Sequence, residues 1–388
     1  MVEDERIAFV GSGGQLQPHY EQAERWELPN LTLMPGLIDA HVHLLADPNP
    51  QGQRQPEELT NSAMALTGAK HAQLTLEAGF TTVRDMAAVN EPIFALRRAT
   101  AQRTIAGPRI VASGKCLTIT GGHGSEYGVP MAWEVDGAAE FLKAVRKQIK
   151  AGADFIKVIA TRTAMSSGFR GSPAFTVEEM RPGIEEAHAA GLLVAAHALA
   201  SVEGLRNAVL AGVDHIEHGS PADDSTLDTM AARETALLPT LCFWDGLTEA
   251  DRQGAFPMGN AWREKLSQAY ENAMDTVRRA NEKGVPIALG SDAGNPMDWH
   301  GNNALELALL VRAGLSPMQA IVAATKRAAD VCGKGQELGT IEAGKMADLI
   351  AVEGNPLKAP GVLQDRDRIR LVMKAGRIVI NRGVAPIG

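Results

Sequence analysis

Short apolar segments alternate with longer amphipathic segments along most of the chain. The short segments are rich in β-branched residues, whereas the longer ones repeat apolar residues at helical spacing. This alternation is typical of parallel strands that are connected by helices. It predicts strands at residues 37–44, 81–85, 109–113, 154–158, 193–198, 215–218, 237–241 and 286–292. It predicts helices at residues 56–78, 91–103, 137–151, 177–190, 202–211, 225–233, 261–283, 304–313 and 317–331.

Eight successive strand–helix units favour one α/β architecture, the (β/α)8 TIM barrel. The two ends of the chain do not fit this repeat. Short strands are predicted there, within residues 6–11, 31–34, 339–353 and 369–382. We therefore predict a barrel of residues 35–337 and a small β-sandwich domain formed jointly by residues 1–34 and 338–388. Because catalytic groups of such barrels lie at the carboxyl ends of the strands, candidate chemistry is expected at those positions.

Charge argues against one large class of partner. The chain carries 38 basic and 46 acidic residues, a net charge of −8, without a stripe rich in Lys and Arg. Proteins that bind polyanions normally have a basic excess, so no nucleic-acid partner is expected. Apolar residues make up 45% and charged residues 22% of the chain, which is the balance of an ordinary globular protein.

Cysteine usage and the length of apolar runs argue against further classes. Cys116, Cys242 and Cys332 are far apart, so neither a disulfide framework nor a thiolate metal site is predicted. Apolar runs end before the roughly 20 residues that a membrane span needs. The acidic start MVEDERIAFVG does not resemble a signal peptide, so the chain as written is expected in the cytoplasm. A secreted or periplasmic location would require a signal that has already been removed.

A histidine pair ends the first predicted barrel strand. His41 and His43 are two residues apart, and strand side chains alternate between faces, so both point the same way. In a barrel strand that shared direction is the interior, where two imidazoles can bind one metal ion. When such a pair stands alone, ordinary polar or buried histidines are the better explanation.

Four more side chains with metal chemistry lie in or at the end of other predicted strands. They are Lys157 in the fourth strand, His197 in the fifth, His218 in the sixth and Asp292 in the eighth. Each by itself could be a structural polar residue. Together with the histidine pair they converge on one end of the barrel, and zinc and similar ions prefer imidazole and carboxylate ligands. The set therefore predicts a metal centre.

Lys157 admits two interpretations. A cationic side chain within a buried parallel strand is costly unless it is paired, and divalent metal ions would repel it. Reaction with carbon dioxide would convert the amine into an anionic carbamate that can bridge two metal ions. That carbamate, Asp292 and a bridging hydroxide would together contribute three negative charges, which nearly balance the four positive charges of two divalent metal ions. The alternative is a salt bridge from Lys157 to an acidic residue inside the barrel.

The motifs that contain these residues resemble the metal-dependent amidohydrolase superfamily over nearly the whole chain. They are MPGLIDAHVHL at 34–44, DFIKV, AAHA, IEHG, GSDAG, and GTIEAGKMADLIAVEGNPL at 339–357. The resemblance implies two divalent metal ions, expected to be zinc. The ligands that it implies are His41, His43 and Asp292 for one ion and His197 and His218 for the other. It also implies that Lys157, carrying a carbamate derived from CO2, bridges the two ions.

The same resemblance implies catalytic roles. Asp292 would orient the attacking hydroxide, accept its proton and deliver it to the leaving amine. Lys157 and His218 complete the expected catalytic set. Members of this superfamily usually have a further strand or two before the segment that matches RIAFVG, so the amino-terminal part of the small domain is expected to be truncated.

Residues 120–124, TGGHG, resemble a narrower group: imidazolonepropionase-like carboxypeptidases that cleave Xaa-amino acid dipeptides or N-acyl amino acids, and related ochratoxin-hydrolysing enzymes. His123 could donate a hydrogen bond to a substrate carboxylate or carbonyl, or it could be a loop histidine that faces water. Trp244 stands where these relatives often have a tyrosine, which favours an apolar wall and a bulky aromatic substrate. Arg162 and Arg170 are further candidate substrate contacts, although solvated surface charges are the simpler explanation of both.

The resulting hypothesis is a binuclear amidohydrolase that cleaves an N-acyl amino acid or an Xaa-amino acid dipeptide, with ochratoxin A as a candidate bulky substrate. The expected partner is this small molecule, and a homo-oligomer is expected. A cyclic amide hydrolase or a mononuclear deaminase of the same superfamily remains an alternative. Such deaminases usually have H-x-x-E after the fifth strand, whereas here His197 is followed by ALA. An inactive barrel scaffold is the non-enzyme alternative, and it would be expected to lack ligands.

The remaining histidines are assigned by position. His215 lies three residues before the metal candidate of the sixth strand, so on a regular strand it would face the helical layer and have a structural role. His71 and His188 lie within predicted helices and are also given structural roles. No role is assigned to His19 or His300, although His300 follows the eighth strand and could approach its end.

Overall fold

The computed structural model describes residues 1–12, 15, 20, 23–49, 60–125, 130–162, 171–255 and 259–387. In chain order, β1 to β17 are Val2–Glu3, Arg6–Ile7, Arg25–Trp26, Leu31–Pro35, Leu37–Val42, Phe80–Asp85, Arg109–Ala112, Cys116–Thr118, Ala132–Glu134, Ile156–Ile159, Val194–Leu199, His215–Ser220, Ala236–Leu238, Leu349–Glu353, Ile369–Lys374, Arg377–Asn381 and Pro386–Ile387. The helices α1 to α11 are Asn61–Glu77, Asn90–Ala101, Gly137–Ala151, Val177–Ala189, Val202–Ala211, Asp224–Arg233, Leu241–Arg252, Asn260–Glu282, Leu305–Arg312, Pro317–Val322 and Ala328–Val331.

The parallel strands form two sheets around one interior. One sheet has the order β5-β6-β7, and the other has the order β13-β12-β11-β10-β8-β9. The eighth predicted strand forms no ladder of its own. It is connected to its neighbours on both sides by the isolated bridges Leu237↔Ile287 and Val42↔Ala293. The eight predicted segments therefore follow one another in barrel order without one continuous ladder of hydrogen bonds.

Two helix ends lie where local sequence signals place them. Thr176 accepts a hydrogen bond from the Glu179 backbone, and the Glu179 side chain accepts one from the Thr176 backbone, so the predicted capping box of α4 is present. Gly212 ends α5 with a φ of 103°, in the left-handed region that favours glycine. The amino-terminal part of the predicted helix 56–78 includes residues 56–59, which lie outside the described residues.

The predicted strand 237–241 is shorter than expected. It ends at Leu238, and Leu241 begins a helix, α7, that the pattern did not predict. The start of this helix is capped from far along the chain, because the buried Glu306 carboxylate accepts hydrogen bonds from the backbone N–H groups of Leu241 and Cys242. Because the capping residue lies 65 residues away, the local sequence pattern does not indicate that a helix begins here.

The predicted helix 317–331 is interrupted. Residues Ala323–Arg327 form a π-helical turn between α10 and α11. At this point the Ala323 carbonyl accepts a hydrogen bond from the backbone N–H of Leu289, at 2.9 Å, in the eighth barrel segment. This contact turns one carbonyl away from the regular helical ladder and joins the helix to the barrel.

A four-stranded antiparallel sheet combines both ends of the chain. Its order is β16-β15-β14-β4, with Ala351 of β14 opposite Leu33 of β4. Only Gly36 separates β4 from the first barrel strand, and its N–H donates to the Asp348 carbonyl at 2.8 Å. The division into domains at residues 34/35 and 337/338 stays a prediction. Among the described helices, none combines the length and the apolar character that crossing a membrane requires.

Candidate functional site

Two histidines and one aspartate meet at one end of the barrel. His41 and His43 lie at the end of β5, and Asp292 ends the neighbouring eighth segment. The Asp292 N–H donates to the His41 carbonyl at 2.8 Å, which aligns the two segments. Both histidine Nε2 atoms lie 3.1 Å from Asp292 Oδ1. Ligand atoms of the three residues lie within 4.8 Å of one another, so this group could hold a metal ion.

Hydrogen bonds on the far side of each ring determine which nitrogen is free. His41 Nδ1 lies 2.6 Å from Glu217 Oε2, and His43 Nδ1 lies 3.4 Å from the Ala87 carbonyl oxygen. Carboxylate and carbonyl oxygens only accept, so each Nδ1 carries a proton, and in the neutral ring each Nε2 then presents a lone pair to Asp292. Two lone pairs and a carboxylate that face one another require positive charge between them. A divalent cation fits this set of donors.

The pKa values of His41 and Asp292 also indicate that the site favours a positive charge. Burial by itself lowers the pKa of His41, but the flanking carboxylates of Asp292 and Glu217 raise it above the usual value. The pKa of Asp292 is held well below its usual range despite burial, because His41 and His43 lie beside it. The site therefore favours an ionised carboxylate together with a cation.

A second histidine pair lies beside the first group. The His218 ring is centred 5.2 Å from the His41 ring and 4.5 Å from the His197 ring. His218 Nδ1 lies 2.7 Å from the Thr240 hydroxyl, which donates its own proton to the Pro239 carbonyl. Thr240 therefore accepts from Nδ1, and His218 Nε2 is free. Burial lowers the pKa of both His197 and His218 well below the usual value, so both are neutral, as ligands must be.

Lys157 is buried inside the barrel, with 2% of its surface exposed. Its Nζ has no hydrogen-bond partner among the described residues, and no ion pair to it occurs among them. The predicted alternative of an interior salt bridge therefore has no support in the part of the chain that the structure describes. Burial lowers the pKa of Lys157 to about 8, which increases the fraction of neutral amine. A neutral amine is the form that reacts with CO2.

The predicted substrate contacts lie in different surroundings. His123 is half-buried, and its ring is centred 4.9 Å from the His197 ring, so it lies next to the histidine cluster. Arg162 is exposed, and Arg170 lies outside the described residues. Trp244 lies on α7, the helix that follows β13, and its side chain is buried in the main hydrophobic core. Substrate binding by these four residues stays a prediction.

Phe243 was not predicted as a site residue. It is half-buried, and its ring is centred 6.3 Å from the His218 ring and 5.0 Å from the Trp244 ring. It therefore lies between the histidine cluster and Trp244. The sequence predicts Trp244 as the aromatic residue at the site. Because both residues lie on the helix α7, the neighbouring Phe243 is the one whose ring lies near His218.

The orientation predicted for His215 is wrong. Its Nδ1 lies 3.1 Å from Nη1 of Arg84, a fully buried residue that also contacts Glu217. The buried network of Glu217, Arg84 and His215 is thus inside the barrel. The alternation argument fails because His218 has a φ of 66°, and the pairing of β11 with β12 shifts after Ala198. Glu217 itself was missed, although it lies between two histidines in the sixth strand.

The histidines without a predicted metal role are held by the surrounding structure. The rings of His71 and His300 stack with centroids 4.4 Å apart. Their nitrogens lie 2.8 Å from the Leu44 carbonyl and 3.3 Å from the His43 carbonyl, respectively, so His300 does approach the site from behind. His188 is paired with Asp214, and His19 lies outside the described residues.

Comparisons with known proteins agree on one family and one fold. Residues 32–379 match the profile of the Amidohydrolase family. The chain is 31% identical to the ochratoxinase of Aspergillus niger, over all of this chain and 84% of that protein. It is 27% identical to the imidazolonepropionase of Shouchella clausii, over 99% of this chain and 86% of that protein. A crystal structure of a Xaa-Pro dipeptidase with bound methionine in the active site has a TM-score of 0.84 at 33% identity, covering 98% of this chain and 94% of that one. These similarities confirm the predicted barrel class and the predicted resemblance.

Proposed function

Because the chain belongs to the amidohydrolase family and is a hydrolase of carbon–nitrogen bonds, we propose that it cleaves the amide bond of an N-acyl amino acid or an Xaa-amino acid dipeptide. One observation carries this proposal. The free Nε2 atoms of His41 and His43 and the Asp292 carboxylate face one another beside a buried lysine amine that has no hydrogen-bond partner among the described residues. The metal-dependent hydrolysis of an amide requires such a cation site next to a proton acceptor.

We propose that two divalent metal ions, expected to be zinc, occupy this site. His41, His43 and Asp292 would hold one ion, His197 and His218 would hold the other, and Lys157 would bind both as its carbamate. When bound, the ions would polarise the substrate carbonyl and lower the pKa of the attacking water. The geometry around Lys157 supports the carbamate, because a buried amine without a partner is costly and an anionic carbamate between cations is not.

The residues of the chain itself would move the proton. Asp292 Oδ1 faces both imidazoles, which leaves Oδ2 to accept a proton from the attacking water. The same carboxyl group would then donate that proton to the leaving nitrogen, which departs as an amine. His218 would stay neutral throughout, because Thr240 fixes its proton on Nδ1.

The leaving group is proposed from the surroundings of the histidine cluster. His123 lies next to His197 and could donate a hydrogen bond to a free carboxylate. Phe243, with Trp244 packed behind it, offers an apolar wall on the other side. The similar proteins named ochratoxinase and Xaa-Pro dipeptidase fit an amino acid as the leaving group, so ochratoxin A is a candidate substrate.

A substrate screen tests this proposal. Purified protein loaded with Zn²⁺ should release an amine from N-acyl amino acids, Xaa-Phe, Xaa-Lys or Xaa-Pro dipeptides, or ochratoxin A. Cyclic amides serve as the comparison, because they would show that the related cyclic amide hydrolase activity is the correct one. Turnover of cyclic amides alone would contradict the carboxypeptidase-type proposal. The absence of turnover on every compound, with metal bound, would contradict hydrolysis of these amides altogether.

Phe243→Ala should reduce selectivity for bulky apolar substrates. Truncation removes the aromatic surface nearest His218, so kcat/KM for substrates with an aromatic amino acid should fall about 10-fold or more, mainly through KM. The kcat/KM for a small leaving amino acid such as alanine should change much less. Phe243→Leu is the matched variant, because it retains apolar volume and should keep most of the selectivity. Equal losses for both substrate classes would show that Phe243 acts on the fold and not on the substrate.

A further inference from the structure

The metal-facing histidines differ in what holds the other side of their rings. His41 Nδ1 donates to Glu217 at 2.6 Å, a buried carboxylate. His43 donates to a backbone carbonyl at 3.4 Å, and His218 donates to the neutral hydroxyl of Thr240 at 2.7 Å. The described residues provide no hydrogen-bond partner for the His197 ring, which only packs against neighbouring rings. One imidazole of the four is therefore supported by a full negative charge.

Glu217 is held in a fixed position for this contact. Its second oxygen, Oε1, accepts a hydrogen bond from Arg84 Nη2 at 2.7 Å. The other nitrogens of Arg84 are also engaged, since Nε donates to the Ala40 carbonyl at 2.7 Å and Nη1 donates to His215 Nδ1 at 3.1 Å. Arg84 and Glu217 are both fully buried. A carboxylate fixed in this way cannot turn away from His41.

We propose that Glu217 makes the two halves of the metal centre unequal: the half formed by His41, His43 and Asp292 binds the first divalent cation, and the half formed by His197 and His218 binds the second one more weakly. This inference rests on the proposed metal centre. A carboxylate that accepts the Nδ1 proton increases the electron density at Nε2 and fixes the ring orientation. Asp292 already adds charge to the first half, and Glu217 strengthens it further. Glu217 is a positioning residue, because it acts through His41.

Metal titration of the wild-type protein tests the order of binding. Metal-free protein is crystallised with one equivalent of Zn²⁺, and anomalous scattering at the zinc edge locates the ion. The expected result is strong anomalous density between His41, His43 and Asp292, with weak density between His197 and His218. Equal density in both halves, or stronger density in the second half, would overturn the proposal. This measurement needs no substitution, so it does not depend on the stability of any variant.

Variants then assign the difference to Glu217. Calorimetric titration of Glu217→Gln should show the first Kd weakened about 10- to 100-fold, which is typical for the loss of such a partner, and the second Kd nearly unchanged. Thr240→Val is the matched variant, because it removes the partner of His218 and should weaken only the second Kd. Because Glu217→Gln leaves Arg84 with a weaker partner, the double variant Glu217→Gln/Arg84→Met repeats the titration without the buried cation. Either Glu217 variant contradicts the proposal if both Kd values weaken equally or neither weakens.

The absorption spectrum of bound Co²⁺ reports the ligands of the metal ion, so a general loss of stability would not shift it. The first equivalent of Co²⁺ should give a spectrum that shifts in Glu217→Gln and not in Thr240→Val.

Ordered metal binding without hydrolysis of any amide in the screen would contradict the proposed function while supporting the present inference. Amide hydrolysis together with metal binding that is not ordered would support the proposed function and contradict the present inference.

Discussion

Lys157→Ala should reduce kcat/KM by about 10³-fold and lower the bound metal from about two ions per chain to one or fewer. The reduction corresponds to about 4 kcal/mol of transition-state stabilisation. The physical reason is the loss of the only proposed ligand shared by both halves of the site, which leaves His197 and His218 as a two-ligand site. Metal content by mass spectrometry and kcat/KM on the best substrate of the screen measure the two effects. Acetate or propionate should restore part of both, because a short carboxylate fits the space that the lysine side chain vacates.

Lys374→Ala is the matched control for Lys157. Burial lowers the pKa of both lysines to about 8, but Lys374 lies in the terminal sheet, where its Nζ donates to the Gly107 carbonyl at 2.6 Å. A low pKa alone would make both lysines equally reactive toward CO2. We therefore expect Lys374→Ala to retain metal and activity. If Lys157→Ala retained two metal ions without bicarbonate or any added carboxylate, the carbamate would be excluded as a metal ligand.

The parts of the site that end strands could be predicted from the sequence. His41, His43, His197, His218 and Asp292 each lie at or near the end of a predicted strand, and parallel strands in a barrel bring their carboxyl ends together. The structure brings these side chains together, as the rings of His41, His197 and His218 and the contacts to Asp292 show. Their use as metal ligands stays a prediction.

Contacts between distant segments could not be predicted in the same way. Glu217 and Arg84 are 133 residues apart and meet across the barrel interior, so neither residue stands out in its own strand. The cap that Glu306 provides for α7 is a comparable case. The rule of alternating faces also gives the wrong orientation for His215, because the positive φ at His218 changes the direction in which the following side chains of the strand point. Local periodicity therefore identified the candidate ligands but not the residues that hold them in place.

Asp292→Asn should lower kcat by about 10²- to 10⁴-fold, the range for the loss of a general acid–base group. The amide has almost the same shape as the carboxylate, and its oxygen can still face the two imidazoles, but it cannot accept and return a proton. We therefore expect metal content to fall much less than kcat. Steady-state kinetics and metal analysis on the same preparation separate the two effects.

The neighbouring carboxyl group provides the control for this variant. Asp298 lies on the same segment, six residues further on, and is also buried. Burial and then the nearby Asp292 raise the pKa of Asp298 well above its usual value, which favours the neutral acid in the folded protein. Asp298→Asn replaces one neutral group by another, and kcat should stay within about threefold of the wild-type value. Should Asp292→Asn retain metal and most of its activity, the proton acceptor would have to be a different group. A comparable loss of kcat in both variants would instead show that substitution anywhere in this buried segment disturbs the site.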